Sequence, residues 1–356
     1  MEKSNNLKRV AVIGAGVSSL SFIYSFKAYD KISVDLFERS KVLSGRATTR
    51  KTDGIIFDNG ANYISSTNER VLNIINKELD TSELITINKW IFPFDKFNSI
   101  DYHLKKAEEH NKLTKYSYKS GINQIGYLLN SQIKLNNFKT HLSTNIEKIH
   151  KIDDGWEIYS NERKFGEFDY IVFGLPAFNI AKILKNSNLN ISEDIIKGLD
   201  EIKYKKIFSC VIAFENDQDL DFYALINSDR LHNISWISVE NHKEGRVTKP
   251  NTLCLVIQMS STFSEANETI EEKKVTEKII KELENLIPVL KNNKTHYTNL
   301  KLWRLALPEN KINEQTINKL KELGIYVIGD SIVGKGRVDL AMNTGLELYD
   351  EFLGLV

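Results

Sequence analysis

In the stretch RVAVIGAGVSSLSF (residues 9–22), a run of buried-strand residues ends at Gly14 and Gly16 and gives way to a helical pattern. Only glycine tolerates a tight reversal there, and only glycine lets a ligand come so close to the backbone. The first glycine makes the turn and the second admits a pyrophosphate. The third position, here Ser19, sets how closely the helix packs on the strand. The helix N-terminus then offers free N–H groups and partial positive charge to phosphates. Glu38 ends a second strand roughly 20 residues on, where a carboxylate takes ribose hydroxyls. The chemistry that this spacing offers is the binding of a dinucleotide.

Two further stretches extend the pattern. ERSKVLSGRATTRK (38–51) continues past the acid with Gly45 and Arg46, followed by FDNGANYIS (57–65). Arg46 on its own reads as a solvated surface cation, but Gly45 beside it favours an anion contact. Near the far end, GIYVIGDSIVGKGRVDLAMNTGLELYDEF (324–352) repeats the theme: a strand, then Gly329 and Asp330, then a helix. Asp330 at the strand tip is placed to accept a hydroxyl hydrogen bond from a ribityl chain. Ala341 and Gly345, four residues apart, let the closing helix pack tightly against its neighbours.

These residues need elements to position them. LKRVAVIG reads as a buried strand, VSSLSFIYSFKAY (17–29) as a helix and ISVDLFER as a second strand, together a βαβ unit. FDYIVFGLP (168–176) and GIYVIGD (324–330) read as further buried strands. KWIFPF (89–94), WEIYS (156–160), KIFSCVIAFE (206–215), ISWISVE (234–240) and TLCLVIQM (252–259) are β-rich and read as antiparallel strands. Residues 268–290 read as one long amphipathic helix with Val275, Ile279, Leu283 and Leu286 at helical spacing. One domain is therefore assembled from distant pieces, with another inserted between them.

GAGVSS, Glu38, SGRATTR, FDNGANYIS, DDGWEIYS, FDYIVFGLPA, SWISVEN, KLWRLALP and YVIGDSIVGKGRV occur in an order that resembles the FAD-dependent amine oxidase superfamily, in particular its renalase-like branch. The resemblance covers essentially the whole chain. It implies an α/β fold (α+β overall): a Rossmann-like FAD-binding domain of the glutathione-reductase/amine-oxidase type, with an inserted mixed-sheet substrate domain. The expected division is 1–85, 121–185 and 300–356 for FAD, against 86–120 and 186–299 for substrate.

By the same resemblance FAD is held non-covalently. Ser18 and Arg46 would contact its phosphates, with Gly14, Gly16, Ser19, Arg39 and Gly45 around them, and Glu38 would take the adenosine ribose. Ile146 matches the strand whose backbone meets the adenine. Asn62 and Tyr63 would approach the flavin ring, and Gly329, Asp330, Arg337 and Val338 would hold the ribityl chain and the flavin edge. Tyr63, Tyr223, Gln258 and Trp303 match cavity positions that serve catalysis, although for each aromatic residue ordinary core packing is an equal reading. Gln258 departs from a histidine of better-known relatives, which leaves a neutral amide where an imidazole would titrate. The implied substrate is a dihydronicotinamide isomer or an amine, with oxygen or another electron acceptor.

Composition excludes other classes. Lys+Arg total 48 and Asp+Glu 47 in 356 residues, so there is no basic excess for nucleic acid. Seven histidines are scattered without metal-ligand spacing, and neither a Ser-His-Asp nor a Cys-His nucleophile is evident. Cys210 and Cys254 sit in apolar runs and read as buried free thiols. A short polar leader and the lack of a long apolar span point to a cytoplasmic protein with no membrane span.

Overall fold

A computed structural model describes residues 7–355 except Ala28, Asn188, Asn190 and Asp217; the polar leader lies outside the described residues. The strands that matter here, in chain order, are β1 (Lys8–Ile13), β2 (Ile32–Phe37), β3 (Ile91–Phe94), β4 (Phe138–His141), β5 (Tyr170–Phe173), β6 (Tyr204–Glu215), β7 (Ala224–Asn227), β8 (Ile234–Val239), β9 (Thr252–Met259), β10 (Thr295–Pro308) and β11 (Ile325–Val327). The helices are α1 (Val17–Ser25), α2 (Glu272–Leu286) and α3 (Val338–Phe352).

The first sheet runs β11-β5-β1-β2-β4, and every pairing is parallel. Residues Val10–Ile13 are at most 3% exposed, as a central parallel strand covered on both faces requires. The tips of β1 and β11 thus open at one end of one sheet, although the turns that follow them are far apart in sequence. Behind them α1 and α3 cross at Gly345: a Cβ there would lie 2.1 Å from the Ser18 carbonyl oxygen. Only a glycine permits that approach.

The second sheet runs β10-β6-β9-β8-β7-β3. Its pairings are antiparallel except at one edge, where β3 runs parallel to β7, contrary to the antiparallel reading of KWIFPF. Alternation along a strand cannot reveal the direction of its partner. WEIYS lies instead in a separate three-stranded antiparallel sheet. One face of the six-stranded sheet packs against α2 through Val275, Ile279, Leu283 and Leu286. That helix is shorter than the 268–290 reading at both ends: Glu268 caps a separate preceding helix, and Pro288 cannot continue the helix and opens a 3-10 turn. Cys210 and Cys254 are free and fully buried, and burial pushes the Cys210 thiol up to about 12.

Candidate functional site

The glycine turn after β1 is built as its residue types demand. Gly14 has φ +98°, and a Cβ there would lie 2.7 Å from the Gly174 carbonyl oxygen. Gly16 caps α1, and a Cβ there would meet nothing within 4 Å, so the backbone faces open space where a phosphate would approach. Ser19 is fully buried in place of a third glycine. It fits because the residue facing it is Gly174, where a Cβ would come within 2.0 Å of Ser19 Oγ. Ser18 is also buried, at the start of the same helix.

Glu38 receives the Ala15 N–H on Oε2 at 2.9 Å and the Ser40 N–H on Oε1 at 2.8 Å. Its carboxylate is thus pinned across the turn, beside exposed Arg39. Gly45 adopts φ +58° and would place a Cβ 3.3 Å from Gly16 Cα, so the Ser44–Gly45 corner packs directly on the turn. Ile146 lies in the connector ahead of the Lys148–Ile152 strand, not within a strand as expected. Its side chain is buried in the core that includes Phe37 and Ile149.

The far end of the chain arrives at this corner. Arg46 donates through Nη2 to Asp330 Oδ1 at 2.7 Å and through Nη1 to the Leu305 and Ala306 carbonyls, each at 3.1 Å. Gly329 turns at φ +109°, and its N–H is held by Thr344 Oγ1 at 2.8 Å. Asp330 Oδ2 is buried and, among the described residues, accepts no hydrogen bond; the buried hydroxyls of Ser331 and Ser19 likewise have no partner among them. Arg337, at the cap of α3, pairs with Asp339 and donates to the Ser65 carbonyl at 2.8 Å; Val338 is buried beside it.

Residues 59–63 lie between the two sheets, and side chains of the second sheet hold their backbone. Trp303 Nε1 donates to the Asn59 carbonyl at 2.7 Å, Gln258 Nε2 to Gly60 at 2.9 Å and the Tyr223 hydroxyl to Asn62 at 3.4 Å. Ser238 Oγ donates to Asn62 Oδ1 at 3.1 Å. Tyr63 packs 6.1 Å from Tyr223 and 6.0 Å from Trp236 between ring centroids. Burial raises the phenol pKa of Tyr63, and that of Tyr223, which is fully buried, far more. The structure therefore brings Tyr63, Tyr223, Gln258 and Trp303 together around one loop, with Tyr223 beneath it.

Sequence reasoning missed the layer behind. Asp58, Glu240, Lys243 and Arg246 form a closed quartet with no exposed side-chain surface. Lys243 Nζ lies 2.9 Å from Asp58 and 2.7 Å from Glu240, while Arg246 Nη2 lies 2.8 Å from Asp58. Asp58 also receives the Thr49 hydroxyl and the Ile122 N–H, and Arg246 donates to the Tyr118 carbonyl and Ser117. Burial alone would raise the Asp58 carboxyl, but Lys243 and Arg246 overcome it and hold Asp58 at about 2. At Glu240 burial prevails and raises the pKa despite Lys243. The sequence signal available was the i,i+3 spacing of Glu240 and Lys243 directly after a β-rich run.

The residues fit a dinucleotide: an open glycine turn at a helix N-terminus, and an unpartnered buried carboxylate oxygen beside a guanidinium. Among the described residues no group of three or more His, Cys, Asp or Glu could hold a metal, and no helix is long and apolar enough to cross a membrane.

Known proteins agree on the architecture. Residues 12–77 match the NAD(P)-binding Rossmann-like domain family. Over 64 residues the chain is 41% identical to mitochondrial protoporphyrinogen oxidase of Nicotiana tabacum, a stretch amounting to 18% of this chain and only 12% of that relative. A solved protein from Exiguobacterium sp. 255-15, provisionally designated protoporphyrinogen oxidase, superposes with a TM-score of 0.78 at 12% identity, covering 98% of this chain and 99% of its own. Reduced UDP-galactopyranose mutase gives 0.76 at 12% identity, covering 98% of this chain and 94% of that one. A triple mutant of putrescine oxidase gives 0.70 at 10%, covering 98% and 99%. At these identities the likeness establishes the fold, a Rossmann-type α/β domain joined to a second, mixed sheet.

Proposed function

We propose that the chain is an FAD-dependent oxidoreductase of the amine oxidase superfamily, holding its coenzyme without a covalent bond. The observation that carries this is the junction of the two glycine turns, where Arg46 meets an Asp330 carboxylate with one oxygen unpartnered. The corresponding division of labour is an FAD domain of 1–85, 121–185 and 300–356 and a substrate domain of 86–120 and 186–299. The Gly14–Gly16 turn and Ser18 would take the phosphates, Glu38 the adenosine ribose and Asp330 a ribityl hydroxyl. Arg46, now on Asp330, lies within the same corner and would share its charge with the pyrophosphate.

FAD supplies a hydride acceptor at N5. The chain supplies orientation and exclusion of water. Trp303, Gln258 and Tyr223 fix the 59–62 backbone from one side, so that Asn62 and Tyr63 present a set surface to a flat ring. Tyr63 and Tyr223 remain protonated across the physiological range, because burial raises both phenols, and serve as walls rather than bases.

The finer reading is renalase-like: oxidation of a dihydronicotinamide isomer in the cytoplasm, with oxygen as acceptor and hydrogen peroxide as product. It rests on the resemblance of the SWISVEN and KLWRLALP segments and on the absence of an acid–base pair at Tyr63, Gln258 and Trp303. Amine oxidation or desaturation of an isoprenoid or porphyrin-like substrate uses the same coenzyme frame. Retention of Arg46 and the Gly329-Asp330 pair argues against a non-catalytic binding or escort protein of this fold.

The experiment is direct. The protein is purified, its flavin absorbance is recorded before and after incubation with FAD, and it is mixed rapidly with dihydronicotinamide isomers and with amines. Bleaching by a dihydronicotinamide and peroxide formation are expected. A colourless protein that FAD cannot reconstitute refutes the cofactor assignment, and bleaching by amines alone refutes the renalase-like one.

A further inference from the structure

The buried quartet stands where two distant pieces of the chain meet. Segment 240–248 leaves the six-stranded sheet after β8 and crosses to the antiparallel pair Thr49–Thr52 and Ile55–Asp58. There the Ile56 N–H donates to the Arg246 carbonyl at 2.7 Å and the Thr248 N–H to the Gly54 carbonyl at 2.8 Å, while Ile55 bridges Val247. Asp58 belongs to the proposed coenzyme domain, and Glu240, Lys243 and Arg246 to the proposed substrate domain. The ion pairs of Asp58 therefore cross that division.

Each carboxylate adjoins a part of the site wall. Asp58 immediately precedes residues 59–63. Glu240 immediately follows β8, whose Ser238 bonds Asn62 and whose Trp236 packs on Tyr63. Lys243 Nζ joins the two carboxylates, 2.9 Å from Asp58 and 2.7 Å from Glu240. It also lies 5.9 Å from the centre of the Tyr223 ring, whose hydroxyl reaches the Asn62 carbonyl at 3.4 Å. Arg246 comes to 2.8 Å from Asp58 but only to 3.4 Å from Glu240. Replacing a buried ion pair by apolar side chains of similar volume is often neutral for stability, because desolvation offsets the attraction. What the ion pairs add is direction: they select one register between elements where apolar packing tolerates several.

We propose that Lys243 is a positioning residue: by binding Asp58 and Glu240 together it sets where residues 59–63 stand against β8 and Tyr223, and so where Asn62 and Tyr63 meet the flat ring. Enclosed by the quartet, Lys243 acts through that wall and not on the ring itself. This deepens the oxidoreductase reading and rests on it.

Amide hydrogen exchange of the coenzyme-free protein reads the wall without any need for activity. Lys243→Met is compared with Leu283→Ala, a truncation of a fully buried side chain of α2 that also lowers stability but lies outside the quartet. In Lys243→Met the amides of 59–63 should exchange about tenfold faster relative to those of β1, while Leu283→Ala leaves that ratio as it is in the wild type. After addition of FAD, the visible circular dichroism of the flavin should change in Lys243→Met and not in Leu283→Ala. A ratio that stays constant in Lys243→Met, one that rises equally in both variants, or a raised ratio with unaltered dichroism overturns the assignment. Failure of the wild type to take up FAD overturns the coenzyme reading instead, and the exchange ratio still tests whether Lys243 holds the wall. Should Lys243→Met fail to fold, the near-isosteric Glu240→Gln, which leaves both cations on Asp58, is measured in the same way, with a rise of about threefold expected.

Discussion

Arg46 Nη2 and Asp330 Oδ1 lie 2.7 Å apart although 284 residues separate them in the chain. Arg46 follows the corner that packs on the first glycine turn, and Asp330 opens the helix after the second. Their pairing is the point at which two local motifs become one site.

If that site holds FAD, Asp330→Ala will weaken it. The loss of a buried charge-assisted bond to a ribityl hydroxyl costs about 1.5–3 kcal/mol, or roughly tenfold to a hundredfold in affinity. Titration of the apoprotein with FAD, followed by flavin fluorescence, measures this. Unchanged affinity in a folded variant would remove Asp330 from the site.

Gly16 and Gly345 make a contrasting pair. A Cβ at Gly345 would sit 2.1 Å from the Ser18 carbonyl oxygen, so Gly345→Ala must push α3 off α1 and should destabilise the fold by about 1–3 kcal/mol. Gly16 has φ −74° and open space before it, so Gly16→Ala should leave the stability within about 1 kcal/mol yet lower coenzyme affinity at least about tenfold, by blocking the approach to the backbone. Urea unfolding of the apoproteins, with FAD titrations in parallel, separates the two effects. A Gly16→Ala protein with native affinity would show that no phosphate approaches there.

The buried quartet predicts an asymmetric response to mutation. Lys243→Met leaves Glu240 and Asp58 sharing only Arg246 in a site without solvent, which should cost about 3–5 kcal/mol. Lys249→Met, which removes the solvent-exposed pair with Asp53, should cost less than about 1 kcal/mol. Comparable unfolding midpoints for the two variants would contradict the burial that sets them apart.

The same quartet sets a pH dependence. Asp58 is held at about 2 against an ordinary 3.8, so the folded protein keeps it ionised where the unfolded chain takes a proton. Its contribution, on the order of 2 kcal/mol, is complete above the unfolded value and is lost as the pH falls from about 4 toward 2. Glu240 has the opposite sign. Its raised pKa favours the fold below 4.5, and that contribution is lost as the pH rises through its folded value. The stability difference between the wild type and Asp58→Asn, measured by urea unfolding, should therefore narrow between pH 4.5 and 2.5; a constant difference would mean that Asp58 is not ionised in the fold.

Much of the frame was legible along the chain. Gly14, Gly16, Glu38 and the Gly329-Asp330 pair declare themselves through spacing, because a strand–turn–helix imposes its backbone needs on adjacent residues. Ser19 was legible as a departure from that spacing, but its compensation at Gly174 was not, since that depends on which strand lies beside β1. The direction of β3 was likewise hidden, because residue alternation is the same for parallel and antiparallel partners.

Neighbouring residues along the chain were enough to specify the two turns, the strands and helices that carry them, and the buried state of Cys210 and Cys254. It took the folded arrangement to bring Arg46 to Asp330, to set Trp303 and Gln258 on the Asn59 and Gly60 carbonyls, and to remove Asp58, Glu240, Lys243 and Arg246 from water together. Charges and donors find their partners across strands and between sheets, and nothing within the reach of a few residues states where those partners will be.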